Sequence, residues 1–169
     1  MATKEIFFAG GCFWGTEHYF KQIRGVTSTE AGYANGDIEN PTYEEVYTDK
    51  TGFAETVHIT YDSDIVSLRL ITELFFRSID PLSLNCQGND HGTRYRTGIY
   101  YTNEADRHII EEVYRVVEHA VGEPLVVELE PLRNFYPAEE YHQDYLDKHP
   151  NGYCHLPMAL MLMAREANK

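Results

Sequence analysis

Basic residues are scarce in this chain. Its 169 residues include 14 Lys and Arg against 27 Asp and Glu, which gives a formal net charge of −13 at pH 7. Proteins that bind a phosphate backbone or an anionic membrane surface do so through clustered positive charge. The charge balance therefore argues against a nucleic-acid partner and against a membrane partner.

Long apolar runs, linkers and repeats are missing as well. No stretch approaches the length of a membrane span, and the N-terminus lacks the basic segment and apolar run of a secretory signal. We therefore expect a cytoplasmic protein. No Ser/Pro-rich linker or repeat divides the chain, and its length suits one core. We expect a single catalytic domain over residues 1–169, acting as a monomer.

Cysteine is also rare, with three residues in the chain. An odd number of cysteines cannot all pair within one molecule, so a structural disulfide framework is not expected. At least one thiol must be free or must cycle between redox states.

Strand-like and helix-like segments alternate along the chain. Runs of apolar and alternating residues predict strands at 5–9, 26–33, 56–61, 98–101 and 125–129. Helical spacing of apolar residues predicts helices at 12–23, 43–47, 66–79, 104–120 and 138–148, and a helical apolar tail at 155–163. The polar segment 85–95 reads as a loop. Together these predict an α+β fold, a mixed β-sheet with flanking helices and a ferredoxin-like core.

Cys12 is the first candidate for chemistry. It follows Gly10 and Gly11 at the predicted start of a helix, where unpaired N–H groups and the helix dipole favour negative charge. This position predicts a lowered thiol pKa and a nucleophilic sulfur. The alternative is that Cys12 is a small buried hydrophobe beside two core aromatics, Phe13 and Trp14, since free cysteine is often buried.

The five residues around Cys12 decide between these readings. Gly-Cys-Phe-Trp-Gly at 11–15 resembles the active-site signature of the peptide methionine sulfoxide reductase A family, and Cys, Phe and Trp are all infrequent residues. Further segments resemble the same family in the same order, and they lie at 31–33, 40–46, 52–55, 87–96 and 141–146. The resemblance covers nearly the whole chain. It implies thiol-dependent reduction of the S epimer of methionine sulfoxide, free or within proteins, for protein repair after oxidative damage.

The resemblance also implies roles for individual residues. Glu55 takes the place of the catalytic acid, Tyr43 and Tyr95 those of the tyrosines that contact the sulfoxide, and Asp90 that of an acidic residue beside the site. A carboxyl in an aromatic pocket has the raised pKa that an acid needs at neutral pH, and tyrosine hydroxyls can act like an oxyanion hole. Phe13 and Trp14 would hold the S-methyl group. Without the motifs, an exposed strand carboxylate and packing tyrosines would be the usual interpretation.

A second cysteine is expected to complete the cycle. Attack on the sulfoxide leaves Cys12 as a sulfenic acid, which condenses with a nearby thiol to a disulfide. Cys154, in the C-terminal segment 150–169, matches the family's recycling position, so thioredoxin or another dithiol is the expected external reductant, without a cofactor or metal. The chain departs from the family where the tail lacks a further cysteine. Cys86 stands where the family does not normally have one, and it is either an inert loop thiol or an accessory resolving residue.

Other interpretations stay open from sequence alone. Cys12 paired with His91 or His142 would make a cysteine hydrolase or acyltransferase. A metal-binding module could use His142, His149, Cys154 and His155, although their spacing matches no common zinc pattern. A binding domain for oxidised methionine would need neither Cys12 nor Glu55. The tail is expected to be a packed helix, or the junction to a B-type reductase domain in a longer protein.

Overall fold

The computed structural model describes residues 2–168. Its strands are β1 (Thr3–Gly10), β2 (Val26–Ala34), β3 (Ala54–Asp62), β4 (Cys86–Gln87), β5 (Asp90–His91), β6 (Thr97–Tyr101), β7 (Glu128–Pro131) and β8 (Phe135–Pro137). Its α-helices are α1 (Phe13–Lys21), α2 (Tyr43–Tyr47), α3 (Leu68–Arg77), α4 (Glu104–Val121), α5 (Tyr145–Lys148) and α6 (Met158–Glu166). Within residues 2–168, no helix is both long and apolar enough to cross a membrane.

Six strands form one mixed sheet in the order β7-β6-β1-β3-β2-β8. The pair β6–β7 is parallel. The other four pairs in the sheet, β6–β1, β1–β3, β3–β2 and β2–β8, are antiparallel. Helix α1 connects β1 to β2 across the intervening β3, and α3 connects β3 to β6 across β1. These two interleaved βαβ units are the ferredoxin-like arrangement. The predicted α+β class, with a mixed sheet and flanking helices, is confirmed.

The two faces of the sheet differ. In β1, Ile6 and Phe8 face the large core beneath the helices, while Phe7 and Ala9 belong to a smaller cluster on the opposite face. Glu55 in β3 has the same parity as Val57, a member of the large core. Its side chain therefore points to the helix-covered face. Because Phe8 pairs with Val57 in the antiparallel register, the end of β1 comes level with Glu55.

The helix predicted at 138–148 is wrong. The structure has a 3₁₀ turn (Glu140–His142) and the short α5 there, after the end of β8 at Pro137. Asp144 has a φ of 53°, which a continuing right-handed helix does not allow. Side-chain bonds replace the helical ladder: Gln143 exchanges hydrogen bonds with the backbone of Ala31, and the Asp144 N–H donates to Glu17. The segment is thereby tied to β2 and α1.

Smaller differences occur elsewhere. The predicted loop 85–95 contains the β4–β5 hairpin and a 3₁₀ turn, and the strand predicted at 125–129 begins at Glu128 instead. Leu125 and Val126 donate their N–H groups to the Glu118 side chain and to Pro81 O, which lie outside the sheet. The apolar tail is helical as predicted, and α6 buries Met161 and Ala164 against the core.

Candidate active site

The turn between β1 and α1 carries Cys12. Cys12 is the N-cap residue of α1, and its side chain is 7% exposed. Gly11 has a φ of 93°, and a Cβ there would lie 2.9 Å from Cβ of Gln87. Only glycine suits such a left-handed, crowded position. The tight turn places the sulfur at the end of the sheet, against the hairpin β4–β5.

The electrostatics of Cys12 differ from the sequence prediction. Burial raises the pKa of the thiol well above its ordinary value, and the nearby Glu55 carboxylate raises it further. The N–H groups of Trp14 and Gly15 at the start of α1 lower the pKa, as predicted for a helix N-terminus, but by less. The expected net lowering is therefore wrong, because desolvation outweighs the helix terminus. The resting residue is a thiol.

Glu55 lies directly against the β1–α1 turn that carries Cys12. It is 1% exposed, and its Oε1 accepts a hydrogen bond from the N–H of Phe13 at 3.1 Å. Burial raises the pKa of Glu55 to about 8, although the Phe13 N–H and the Arg94 guanidinium act in the opposite direction. The carboxyl is therefore mostly protonated at neutral pH. This is the state that sequence reasoning requires of a catalytic acid.

Arg94 is held away from full pairing with Glu55 by another carboxylate. Its Nη1 donates to Asp49 Oδ2 at 2.5 Å, and the guanidinium carbon lies 4.3 Å from the centroid of the Tyr95 ring. Because Asp49 takes the ion pair, Arg94 lowers the Glu55 pKa without cancelling the effect of burial. The sequence analysis assigned Arg94 no role of its own.

Tyr43 and Tyr95 both lie close enough to Glu55 to respond to its charge. For both hydroxyls burial raises the pKa, and the charges of Glu55 and Cys12 raise it further, so both hydroxyls are within electrostatic reach of the two groups. Both remain protonated donors throughout the neutral range. Tyr43 is fixed by its backbone N–H, which donates to Glu139 at 2.9 Å.

Phe13 and Trp14 have different surroundings. The Phe13 ring is buried in the core, and the Phe13 backbone N–H donates a hydrogen bond to Glu55. Trp14 is half-buried, stacks on Tyr145 at 3.7 Å between ring centroids, and donates its Nε1–H to His142 Nδ1 at 3.0 Å. His142 is itself buried and lies 4.5 Å from the Tyr43 ring. Sequence reasoning considered His142 only as a thiol base or metal ligand, not as the support of these two aromatics.

The C-terminal segment reaches the same site. The Sγ of Cys154 lies 3.1 Å from where a Cβ of Gly15 would be, in the first turn of α1. Beside it, the Tyr153 hydroxyl donates to Asp90 Oδ2 at 3.0 Å. Asp90 raises the pKa values of both Cys12 and Glu55, so its carboxylate faces the site. The structure thus brings together Cys12, Glu55, Tyr43, Tyr95, Asp90, Trp14 and Cys154.

Cys86 is the exception among the candidate residues. It is half-buried in β4, and its Sγ contacts Gly88 O at 3.6 Å and His91 Nε2 at 4.0 Å. Its neighbour Gln87 packs on Gly11, and successive strand residues point to opposite sides. Cys86 therefore points away from Cys12. All three cysteines are free thiols in this structure.

The other interpretations find little geometric support. Within residues 2–168, no histidine forms a hydrogen bond with Cys12; His142 accepts from Trp14 and His91 lies beside Cys86. Over the same residues, no group of three or more His, Cys, Asp or Glu side chains is arranged to hold a metal ion. A protonated buried carboxyl next to a thiol, with two tyrosine donors and a second cysteine nearby, defines instead the site of a thiol-dependent reductase.

Comparison with known proteins gives the family. Residues 4–169 match the family model described as peptide methionine sulfoxide reductase. A peptide methionine sulfoxide reductase MsrA of Clostridium acetobutylicum is 52% identical over 158 residues, covering 94% of this chain and 98% of that protein. The chain belongs to the peptide methionine sulfoxide reductase family.

Solved structures agree with this assignment. Reduced Mxr1 from Saccharomyces cerevisiae superposes with a TM-score of 0.86 at 39% identity, over 90% of this chain and 88% of that chain. Mxr1 in complex with Trx2 superposes with a TM-score of 0.61 at 27% identity, over 85% of this chain and 84% of that chain.

Proposed function

We propose that this chain reduces the S epimer of methionine sulfoxide, free or within proteins, through attack by Cys12 with Glu55 as the acid. The observation that carries the proposal is the neutral carboxyl of Glu55, which accepts the N–H of the residue after Cys12. A buried acid with a pKa near 8 keeps its proton at neutral pH and can give it to a bound oxygen.

The first step moves one oxygen atom. The sulfur of Cys12 attacks the sulfoxide sulfur, and Glu55 protonates the sulfoxide oxygen. The sulfur–sulfur bond made by this attack and the S=O bond both break as the oxygen passes to Cys12, so that a thiol and a sulfoxide become a sulfenic acid and a sulfide. The methionine sulfur is reduced by two electrons and the cysteine sulfur is oxidised by two.

Hydrogen-bond donors around the oxygen assist this step. We assign Tyr43 and Tyr95 as donors to the sulfoxide oxygen, because their hydroxyls stay protonated and lie in the electrostatic field of Glu55 and Cys12. Donors aimed at a developing charge in a water-poor site stabilise the transition state strongly. Trp14, held by His142, offers the apolar wall for the S-methyl group, with Phe13 behind it.

Recycling uses the second cysteine and an external thiol. We assign Cys154 as the residue that attacks the Cys12 sulfenic acid, releasing water and forming a Cys12–Cys154 disulfide. Thioredoxin then reduces the disulfide by thiol exchange. The complex of yeast Mxr1 with Trx2 supports this choice of reductant. Cys86 has no part in the proposed cycle, because it points away from Cys12.

Four further proposals concern the catalytic extent of the domain, its oligomeric state, its cofactor requirement and its location. The domain is proposed to be catalytic over its whole length and to act as a monomer. The reaction is proposed to need no cofactor beyond the external dithiol, and the protein is proposed to work in the cytoplasm.

The test is turnover of separate S and R epimers of a methionine sulfoxide peptide with dithiothreitol. We expect reduction of the S epimer only, loss of activity in Cys12→Ser, and strong loss in Glu55→Gln. Cys86→Ser is the matched cysteine control and should keep normal activity. Near-normal activity of Glu55→Gln would remove the acid role, and inactivity of the unmodified chain toward both epimers would remove the proposed reaction.

A further inference from the structure

The imidazole of His155 lies across the turn that carries Cys12. Its Nε2 is 3.0 Å from Gly10 O. Its Nε2 is also 3.2 Å from where a Cβ of Gly11 would be, and its Nδ1 is 2.8 Å from where a Cβ of Gly15 would be. The ring therefore occupies the space left by two glycines, one on each side of Cys12 in the chain.

These contacts fix the tautomer of the ring. A carbonyl oxygen only accepts, so Nε2 carries the proton and donates it to Gly10 O. Nδ1 then has a free lone pair. That atom is buried, and it has no hydrogen-bond partner among residues 2–168. A buried acceptor without a donor destabilises the fold, so its presence calls for an explanation.

The Cys154 thiol lies close enough to become the missing donor. Its Sγ and the His155 Nδ1 both lie within 3.1 Å of the same point, the Cβ position that Gly15 leaves empty. In the resting structure the thiol is directed to Leu156 O at 3.4 Å instead. Rotation of this half-buried side chain toward the α1 turn would bring the thiol proton to Nδ1 and the sulfur toward Cys12.

We propose that His155 is the base that takes the proton of Cys154 when Cys154 attacks the sulfenic acid on Cys12. This inference rests on the proposed function. The Cys154 sulfur forms the S–S bond with Cys12 while the S–O bond of the sulfenic acid breaks. The thiol proton moves to Nδ1 and from there to the departing hydroxide, which leaves as water. The two sulfurs supply the redox change, and no further reactant is needed.

The surroundings of His155 keep it ready to accept a proton. Burial lowers its pKa, while the Gly10 carbonyl and the Asp90 carboxylate of β5 raise it by less. The thiol of Cys154 lies beside the ring as well. The ring is therefore neutral at pH 7, whereas burial raises the pKa of the Cys154 thiol. A thiol that stays protonated at neutral pH gains most from a base.

A single-turnover experiment separates the two steps. The reduced chain is mixed with one equivalent of the S sulfoxide peptide without dithiol, and samples are quenched with acid. The methionine product and the loss of one free thiol report the first step, and the loss of a second free thiol reports the disulfide. His155→Gln keeps an N–H donor for Gly10 O but has no basic nitrogen. The matched control is His149→Gln, because His149 is an exposed histidine nearby in the chain.

The expected result is selective. His155→Gln should release methionine at the normal rate but form the disulfide about 100-fold more slowly at pH 7, the size of effect typical of general base catalysis. Its disulfide rate should rise steeply with pH toward the Cys154 pKa, while the unmodified chain and His149→Gln stay nearly flat. A merely structural role for His155 would give parallel pH profiles instead.

Two results overturn the inference. Disulfide formation in His155→Gln within about twofold of the unmodified chain, or a pH profile parallel to it, would show that Nδ1 takes no proton. Failure of the unmodified chain to release methionine would refute the proposed function itself, and this outcome is distinct because it is seen in the first step.

Discussion

Replacement of Glu55 by glutamine should make the protein more stable while it loses activity. The Glu55 pKa is raised from 4.5 to about 8 in the folded chain. A carboxyl that binds its proton more tightly when folded stabilises the fold fully below pH 4.5 and loses that contribution as the pH rises to about 8. At pH 7 the native chain thus carries a penalty that a neutral amide avoids.

The size of this effect follows from the two pKa values. One pKa unit corresponds to about 1.4 kcal/mol, so the penalty is about 2 kcal/mol near pH 6 and about 4 kcal/mol near pH 8. Glutamine has the same shape, and its Oε1 can still accept the Phe13 N–H. Any cost of burying the amide does not depend on pH. The stability difference between Glu55→Gln and the unmodified chain should therefore change by about 2 kcal/mol between pH 6 and pH 8, and this change reports the ionisation of Glu55.

Urea unfolding of the reduced chain and of Glu55→Gln at both pH values measures it. Glu17→Gln is the matched control, since Glu17 is another buried carboxyl whose pKa is raised by burial, but it lies in α1 and bonds Asp144 and Thr29. Glu17→Gln should keep catalytic activity. If the stability difference between Glu55→Gln and the unmodified chain is the same near pH 6 and near pH 8, the raised pKa of Glu55 is wrong.

Three other substitutions address the tyrosines and the α1 turn. Tyr43→Phe and Tyr95→Phe should each lower kcat about 100-fold with little change in KM, as expected for removal of a transition-state donor; unchanged kcat in both would remove their role. Gly15→Ala should slow disulfide formation after the first turnover, because the added methyl meets His155 and Cys154. Its free energy of unfolding should change little, because the helix preference of alanine, up to about 1 kcal/mol, offsets the cost of this crowding. Equal rates of disulfide formation in Gly15→Ala and in the unmodified chain would contradict this crowding.

The sequence was sufficient to predict most of the fold because its elements are locally encoded. The βαβ units have clear apolar periodicity, and Ser67 and Asn103 cap α3 and α4 as their residue types suggest. The segment 138–148 could not be predicted in this way. Its conformation depends on bonds to Ala31 and Glu17, more than a hundred residues away in the chain, and these override a helical pattern.

The site was predicted in its residues but not in its electrostatics. Motifs indicated Cys12 and Glu55, yet the pKa of a thiol depends on how much water the fold removes around it. Helix position alone predicts a lowered Cys12 pKa, and burial reverses the sign. The roles of Arg94, His142 and His155 depend on contacts between distant segments. A histidine or arginine within a sequence motif does not predict such contacts.

The charge of Glu55 raises the pKa of the buried Cys12 thiol, so the ionisation of Cys12 depends on the protonation state of Glu55. The reactive form of the pair has a thiolate and a neutral acid, so it has lost one proton of two. As the sulfoxide oxygen takes the acid proton, negative charge moves from sulfur to carboxylate, and the total charge in the apolar site stays constant. Methionine release in a single turnover should therefore rise with pH, reach a maximum and fall when the second proton leaves. Since Tyr43 and Tyr95 keep their protons to higher pH, the falling limb belongs to the pair, and Glu55→Gln should show only a rising limb. A falling limb that persists in Glu55→Gln would assign the acid to another residue.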